Sequence, residues 1–402
     1  MSLNTQSRKP KTKIKTPSRR EWSPRFWTGM NFHGWVRLLA RNRFAVHWRY
    51  WPAAIFITLF SLFHSVWRRW QWLLVGWRAG RTRIEHEPVF IIGHWRAGTT
   101  LLHELLVQDE RHTYPTTFEC LAPNHFLISE DFATRWLWFL LPSRRPMDNM
   151  PAGWQRPQED EFALANLGVP SPYLTIAFPN HPPMDQEYLT LEGIPPQALE
   201  RWKRVFRRFL QEITYRRPGR IVLKSPPHTC RIQVLLEMFP GARFVHIVRD
   251  PFVVFPSTVN LWTTLYRKHA LEQPNFQGLE EQVLETFERM YEVFQRDRAL
   301  VAADRLCEVT YEELVRDPIG QMRRVYEQLA LGDFDNVLPR LEAYVAATRG
   351  YETNRYDLAP ELRAEIARRW QPFIRRYGYS AHEEGRTPRT DDDSRKGAKA
   401  QR

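Results

Sequence analysis

Residues 88–106 of this chain read PVFIIGHWRAGTTLLHELL, and this stretch predicts a strand, a glycine turn and a helix in succession. The run from Val89 to Ile92 is β-branched and aromatic, which is typical of a buried strand. Gly93 ends the run, and leucines at helical spacing follow Thr99 and Thr100. We therefore expect an α/β fold in which a parallel sheet is flanked by helices.

The spacing from Gly93 to Thr100 matches the phosphate-binding loop G-x-x-x-x-G-K-[ST], except that Thr99 stands where that motif has lysine. A loop of this shape turns successive backbone N–H groups inward, and the following helix adds its positive N-terminal dipole. Arg96 supplies a cation inside the loop, and its planar guanidinium suits a pair of phosphate or sulfate oxygens. The loop is therefore predicted to bind a phosphate or sulfate group.

This loop resembles the 5′-phosphosulfate loop of sulfotransferases that use 3′-phosphoadenosine-5′-phosphosulfate (PAPS). Its arginine form, R-A-G-T-T, is similar to that of carbohydrate and protein-tyrosine sulfotransferases, and the layout of the chain resembles the bacterial-type branch of the superfamily. The resemblance implies that the 5′-phosphosulfate is held by Arg96, Ala97, Gly98, Thr99 and Thr100.

Two later segments carry the same resemblance. Residues 220–224 read as a strand that ends in Lys224, which would lie beside the loop and stabilise the leaving phosphate, as the resembling enzymes imply. Residues 243–248 read as another strand, followed by Arg249-Asp-Pro, with Ser257 eight residues after the arginine. This element resembles the 3′-phosphate site of the family, so Arg249 and Ser257 are predicted to bind that phosphate.

The acceptor hydroxyl needs a proton acceptor, and Glu119 is the predicted base. It has apolar neighbours in a predicted loop at residues 114–125, and desolvation raises the pKa of a carboxyl. The resembling enzymes have a glutamate base at about this distance past the loop; a structural carboxylate is the alternative. His125 is a second candidate base and His228 a candidate contact of the site, while the acidic run at 158–161 is predicted to be a solvated first turn.

Basic charge is concentrated at the N-terminus. Residues 1–85 hold 17 Lys and Arg but only two acids, whereas the remainder holds 41 basic and 43 acidic residues. Residues 1–20 are predicted to be a disordered basic tail. Residues 21–85 form an appendage rich in tryptophan and arginine, with nine of the sixteen tryptophans of the chain.

Within that appendage, residues 50–67 run for eighteen residues without a charge. This length is at the short end of what crosses a bilayer, and tryptophan and arginine at both ends are typical of a membrane interface. Three interpretations stay open: a single membrane span, a helix in the interface, or a helix packed on the catalytic body.

The remaining segments complete the domain prediction. Residues 86–380 are predicted to form one sulfotransferase domain, and 381–402 a disordered tail. Tyr311 and Glu312 follow a further predicted strand and are assigned a structural role, while residues 354–356 resemble a segment that closes over the nucleotide. Three cysteines without C-x-x-C spacing and the absence of N-x-[ST] acceptors favour a cytoplasmic setting, with membrane association left open.

The resemblance thus implies transfer of a sulfuryl group from PAPS to the hydroxyl of a carbohydrate, lipid or phenolic acceptor, by in-line displacement. No metal and no nucleic-acid partner are expected. Two alternatives remain. A nucleotide-dependent kinase or NTPase should have lysine at position 99 and an acidic strand end for magnesium, and a membrane-associated binding protein would use only residues 1–85.

Overall fold

The computed structural model describes residues 25–136, 153–348 and 356–380. The predicted tails at 1–20 and 381–402 lie outside these ranges, as does most of the segment at 354–356.

Five parallel strands form one sheet in the order β2-β3-β1-β4-β5. The strands are β1 (Val89–Ile92), β2 (His112–Thr113), β3 (Arg220–Lys224), β4 (Arg243–Val248) and β5 (Leu306–Thr310). The helices are α1 (Phe32–Arg41), α2 (Trp51–Gln71), α3 (Trp77–Ala79), α4 (Thr99–Leu106), α5 (Thr117–Leu121), α6 (Phe126–Trp136), α7 (Asp160–Asn166), α8 (Pro196–Arg216), α9 (Ile232–Met238), α10 (Pro251–His269), α11 (Leu279–Asp297), α12 (Tyr311–Arg316), α13 (Pro318–Gln328), α14 (Leu338–Ala347), α15 (Pro360–Arg369) and α16 (Gln371–Tyr377). The predicted α/β class is confirmed, and the two-residue strand β2 is an addition to it.

The central strand β1 pairs with β3 on one side and with β4 on the other. Ile91 lies opposite Lys224 in β3, and Ile92 lies opposite His246 in β4. The carboxyl ends of these three strands therefore meet at one edge of the sheet. In open α/β sheets that edge, at the point where the strand order changes direction, is where ligands bind.

Both faces of the sheet are covered, which explains the uninterrupted apolar run of β1. Phe90 and Ile92 belong to one core cluster, and Val89 and Ile91 belong to a second one that includes α4 and α13. A strand that is buried on both faces has no reason to alternate apolar and polar residues.

The N-terminal region shares the first of these two cores. Trp27 and Trp35 are fully buried, and Trp27 Nε1 donates to the carbonyl of His269 at 3.0 Å. Further along, α2 continues through a π-helical turn, Trp72–Gly76, into α3. Only residues 80–88 then join this helical segment to β1.

Candidate active site

The loop after β1 has a backbone that few residues can adopt. Gly93 and Gly98 have φ angles of +146° and +104°. A Cβ at Gly98 would lie 2.4 Å from the ring of Tyr311, and one at Gly93 would lie 2.5 Å from the carbonyl oxygen of Ile247. Both glycines are therefore required where they stand.

Arg96 is also held in the left-handed region, with φ of +68°. This conformation costs a non-glycine residue about 1–2 kcal/mol. Strain of this kind persists where the surrounding structure determines the conformation, which occurs most often at ligand sites. The loop thus presents a strained arginine between two glycine turns.

The two predicted anion sites lie in contact with each other. Arg96 Nε donates to Ser257 Oγ at 2.7 Å, and an Nη of Arg249 donates to the main-chain carbonyl of Arg96 at 3.2 Å. The Arg249 guanidinium lies over the ring of Tyr311, 4.0 Å from its centroid. Glu312 accepts a hydrogen bond from the amide of Asp250 at 2.9 Å, and so fixes the turn after β4. The ends of β1 and β4 therefore form one cationic site.

The rest of the loop starts α4. Gly98 is the N-cap of that helix, and Thr99 and Thr100 are its first two residues. Ala97 is buried, and its amide donates to the carbonyl of His94 at 3.2 Å. The free N-terminal amides and the helix dipole are consequently directed at the loop.

Three consecutive carboxylates pair with three basic side chains that follow in the same order from the last residue of β3 onward. The pairs are Glu159–Lys224, Asp160–His228 and Glu161–Arg231, with N–O distances of 2.6, 2.7 and 2.6 Å. The prediction of a solvated first turn at 158–161 is wrong, because Asp160 and Glu161 are fully buried.

The inner two pairs are a rigid support. Asp160 also accepts from Ser225 Oγ at 2.9 Å. Burial opposes ionisation of Asp160, but the charge and hydrogen bonds of His228 and Ser225 outweigh it and lower the pKa of the carboxyl. Glu161 accepts from both Nη atoms of Arg231 and from the Ser171 hydroxyl at 2.5 Å. Buried charges with this many partners hold the strand end in place.

The outer pair is the one that reaches solvent. The side chain of Glu159 is 13% exposed, and it accepts from Lys224 through Oε1 and from the Tyr173 hydroxyl through Oε2 at 2.5 Å. The Tyr173 oxygen in turn accepts from Trp95 Nε1 at 2.9 Å. Burial and the adjacent Glu159 hold the pKa of Tyr173 well above its usual value. A hydrogen-bonded chain therefore joins the loop to the end of β3.

Glu119 has a different environment from the one expected. It lies on α5 and not in a loop, and its carboxylate accepts from the amide of Thr116 and from Arg217, each at 2.8 Å. The Thr116 hydroxyl accepts from the Glu119 amide, which completes a capping box. Burial raises the pKa of Glu119, with Arg217 opposing, yet the side chain has no exposure to solvent. This geometry favours the structural alternative over the base.

The two histidines of the prediction also have internal partners. His125 lies 2.7 Å from His64 and 2.7 Å from the hydroxyl of Ser129. His228 is fully buried against Asp160. Sequence reasoning missed Glu159, which contacts the predicted lysine, and Tyr173, which donates to Glu159.

Within the described ranges, no group of three or more His, Cys, Asp and Glu side chains is placed to hold a metal ion. One helical segment of those ranges, Trp48–Ala79, is long and apolar enough to cross a membrane by length and composition.

A family model described as the sulfotransferase family matches residues 88–336. The chain is 51% identical over 363 residues, 90% of its length and 93% of the relative's, to omega-hydroxy-beta-dihydromenaquinone-9 sulfotransferase Stf3 of Mycobacterium bovis. It resembles the crystal structure of sulfotransferase STF9 from Mycobacterium avium with a TM-score of 0.59 at 21% identity, over 78% of this chain and 82% of that one. It also resembles sulfotransferase STF1 from Mycobacterium tuberculosis, with a TM-score of 0.53 at 19% identity over 86% and 88% of the two chains.

Proposed function

Because the chain belongs to the sulfotransferase family and transfers a sulfuryl group to a hydroxyl acceptor, we propose that its donor is PAPS and its acceptor a chain-end hydroxyl on an isoprenoid quinone lipid. The family match does not favour a kinase or NTPase. The acceptor proposal rests on the 51% identical relative, whose name gives it an omega-hydroxylated dihydromenaquinone as substrate.

The observation that carries the donor proposal is the contact between Arg96, Ser257 and Arg249. PAPS has a 5′-phosphosulfate and a 3′-phosphate, and a donor with two anionic ends matches two adjoining cationic positions. Arg96 and the amides of residues 98–100 would hold the phosphosulfate. Arg249 and Ser257 would hold the 3′-phosphate.

The residues at the end of β3 would serve the transfer itself. When bound, PAPS supplies the sulfuryl group and a phosphate leaving group. Lys224 stabilises negative charge on the leaving oxygen. Glu159 takes the proton of the acceptor hydroxyl, in place of the predicted Glu119, because it is the carboxylate that contacts Lys224 and is open to solvent.

The hydrogen bonds of Glu159 suit this role. Tyr173 holds Oε2, so the carboxylate keeps its orientation when Oε1 changes partner. Once Lys224 donates to the leaving oxygen, Oε1 loses its counter-ion contact and becomes a better proton acceptor. Lys224 would thus move from Glu159 to the leaving oxygen. Departure of the leaving group and activation of the acceptor hydroxyl would then be coupled.

The surroundings of Glu159 support an apolar acceptor. Tyr173 has ring neighbours in Trp95, Trp262 and Phe162, with centroids at 6.2, 6.2 and 5.0 Å. Aromatic rings at these distances favour a flat or hydrocarbon ligand. A carbohydrate would require more polar side chains than this wall provides.

The donor is tested by isothermal titration of the whole chain with adenosine 3′,5′-bisphosphate, for the wild type and for R249A. Removing a phosphate-bound arginine should weaken binding by about a hundredfold or more. R368A is the matched control, since Arg368 is 70% exposed and pairs only locally with Glu365. Equal binding by R249A, or preference for ATP with magnesium, would refute the donor site.

The acceptor is tested separately, with ³⁵S-labelled PAPS and three acceptors: an omega-hydroxylated isoprenoid quinone, a simple sugar and a phenol. Label is expected in the quinone alone. Incorporation into the sugar or phenol would overturn the acceptor while leaving the donor proposal intact.

A further inference from the structure

The long N-terminal helix, Trp48–Ala79, has its polar and apolar sides reversed relative to an ordinary surface helix. Its buried positions include Ser61, His64 and Gln71, which face the body of the protein. Its outer face is apolar and follows helical spacing: Ile55, Leu59, Leu62, Phe63, Val66 and Trp70. Each of these six side chains is at least 44% exposed.

The polar side of this helix is bonded to the body along its length. Thr58 Oγ1 accepts from Trp35 Nε1 at 2.9 Å, and Ser65 Oγ accepts from the amide of Phe32 at 2.9 Å. One residue before Ser65, a ring nitrogen of His64 lies 2.7 Å from one of His125, which directly precedes α6. These contacts attach the middle of the helix to two separate elements.

The second half is attached to α6 and α8. Gln71 accepts from the amide of Leu127 at 2.9 Å and donates to Glu212 at 3.3 Å, and Arg208 donates to the carbonyl of Gly76 at 2.5 Å. The attached stretch from residue 58 to residue 76 measures about 27 Å at the rise of an α-helix. The π-helical turn, Trp72–Gly76, inserts one residue, so Gly76 and Ala79 continue the buried stripe.

A helix held in this way cannot cross a bilayer by itself. A spanning helix presents its whole circumference to lipid or to other spanning helices, whereas this one gives one side to a body that carries charged and polar groups. Only 22% of its most apolar window is buried, so it is not a core helix either. The remaining alternative is a helix that lies along a surface.

The charge of residues 22–84 indicates what kind of surface the helix lies on. Residues 22–84 contain ten arginines and no acid. Three of these arginines stack on tryptophans of the helix: Arg69 over Trp72 at 5.1 Å, and Arg78 and Arg81 over Trp77 at 5.0 and 5.6 Å. Tryptophan and arginine at the rim of an apolar face are typical of helices that bind anionic lipid headgroups.

We propose that the outer face docks on an anionic lipid bilayer, with the helix parallel to the membrane plane and inserted into one leaflet. On α6, which the helix contacts through Leu127, Phe132 and Trp136 are also 70% and 62% exposed. A second copy of the chain is less suited to cover this face, because a symmetric dimer would place two arginine-rich surfaces against each other. The proposal goes beyond the proposed function and does not depend on the identity of the donor or the acceptor.

Flotation with phosphatidylcholine vesicles that contain 30% phosphatidylglycerol tests the apolar contact. The triple variant I55Q/L59Q/V66Q should bind these vesicles at least about tenfold more weakly, since each side chain loses apolar burial in the membrane. The matched control is L300Q/V315Q, which removes two equally exposed apolar side chains elsewhere. Both variants should keep the wild-type circular dichroism spectrum, because all five residues are exposed.

Charge and orientation are tested with further variants. R69Q/R81Q should lose binding to anionic vesicles but not to pure phosphatidylcholine. Single cysteines at R49C and R83C, at the two ends of the helix, should both react with an impermeant maleimide added outside the vesicles. Protection of one end would indicate a span. Failure of the wild type to float, or a dimer by sedimentation that the triple variant abolishes, would refute membrane docking.

Discussion

The edge of the sheet and the N-terminal helix depart from the usual distribution of side chains in opposite directions. At the sheet edge, charged groups are enclosed in pairs beneath the phosphate loop. On the helix, large apolar side chains are exposed while Ser61, His64 and Gln71 face inward. Soluble proteins normally bury apolar groups and expose charges, so each region has a cost that packing alone does not explain.

The difference between the two regions lies in what compensates that cost. Every buried carboxylate of the 159–161 run has a partner inside the chain, so the sheet edge is complete by itself. The six apolar side chains of the outer face named above remain at least 44% exposed. A buried charge with internal partners points to a preformed site, whereas an exposed apolar face points to something outside the molecule.

The largest expected effect tests the chemistry of the sheet edge. E159Q should lower kcat by about 10²–10⁴-fold, because the amide cannot accept the acceptor proton. E119Q is the comparison, since it changes a buried capping carboxylate. It should lower the melting temperature and leave kcat of the folded fraction close to that of the wild type. The opposite result, a loss of kcat in E119Q alone, would restore Glu119 as the base.

The second effect tests whether the inner pairs are structural. R231M leaves Glu161 buried without its main counter-ion and should destabilise the fold by about 3–5 kcal/mol. Urea unfolding measures this loss. R368A removes an exposed arginine of a local pair and should not change the unfolding midpoint measurably. Similar midpoints for R231M and the wild type would show that the pair does not support the sheet edge.

The third effect tests how closely the phosphate loop packs against Tyr311. G98A places a Cβ 2.4 Å from the Tyr311 ring at a φ of +104°, so both strain and overlap oppose it. We expect a loss of stability of about 1–3 kcal/mol together with weaker nucleotide binding. G193A is matched in backbone conformation, with φ of +70° but open space around its Cβ. If both variants behave alike, the contact with Tyr311 has no part in the effect.

The smallest effect concerns the inner side of the helix and depends on pH. Burial lowers the pKa of His64 to about 4, while the unfolded chain has the ordinary value of 6.5. The unfolded state therefore binds the proton first as the pH falls, and the free energy of unfolding decreases between pH 6.5 and pH 4. Burial and the neighbouring His64 likewise lower the pKa of His125 to about 3.

Urea unfolding of the wild type and H64Q at pH 7 and pH 5 measures this contribution. The variant should lose less stability between the two pH values, by about 1–2 kcal/mol. A variant that loses as much as the wild type would mean that His64 titrates normally in the folded state. The helix would then be less firmly attached than its hydrogen bonds indicate.

Local patterns predicted the loop and the strand ends, because each of these signals lies within a few residues of the chain. Arg96 and Arg249 could be placed at the ends of two parallel strands, and the topology brings those ends together. The 159–161 run was misjudged because its partners lie more than sixty residues away. The three acids and their partners Lys224, His228 and Arg231 follow the same order along the chain, but their spacings differ, so neither segment alone predicts the pairs.

The environment of Glu119 was predicted in part. Its apolar neighbours correctly indicated that the side chain is buried, but the buried carboxylate caps helix α5. The sequence from Thr116 to Glu119 fits the capping-box pattern, and that pattern would have predicted α5. For the N-terminal helix, hydropathy predicted the segment but not which side it turns outward, since that depends on hydrogen bonds to α1, α6 and α8.

The short connection between the N-terminal helix and the sheet limits how far the end of the helix can lie from the start of β1. Ala79 ends the helix and Val89 begins β1, and ten extended peptide units reach no further than about 36 Å. If the helix rests in a leaflet, this limit holds the start of β1 near the bilayer, with the catalytic edge one four-residue strand further on. The tail of a long isoprenoid acceptor could then stay dissolved in the bilayer while its far end is sulfated.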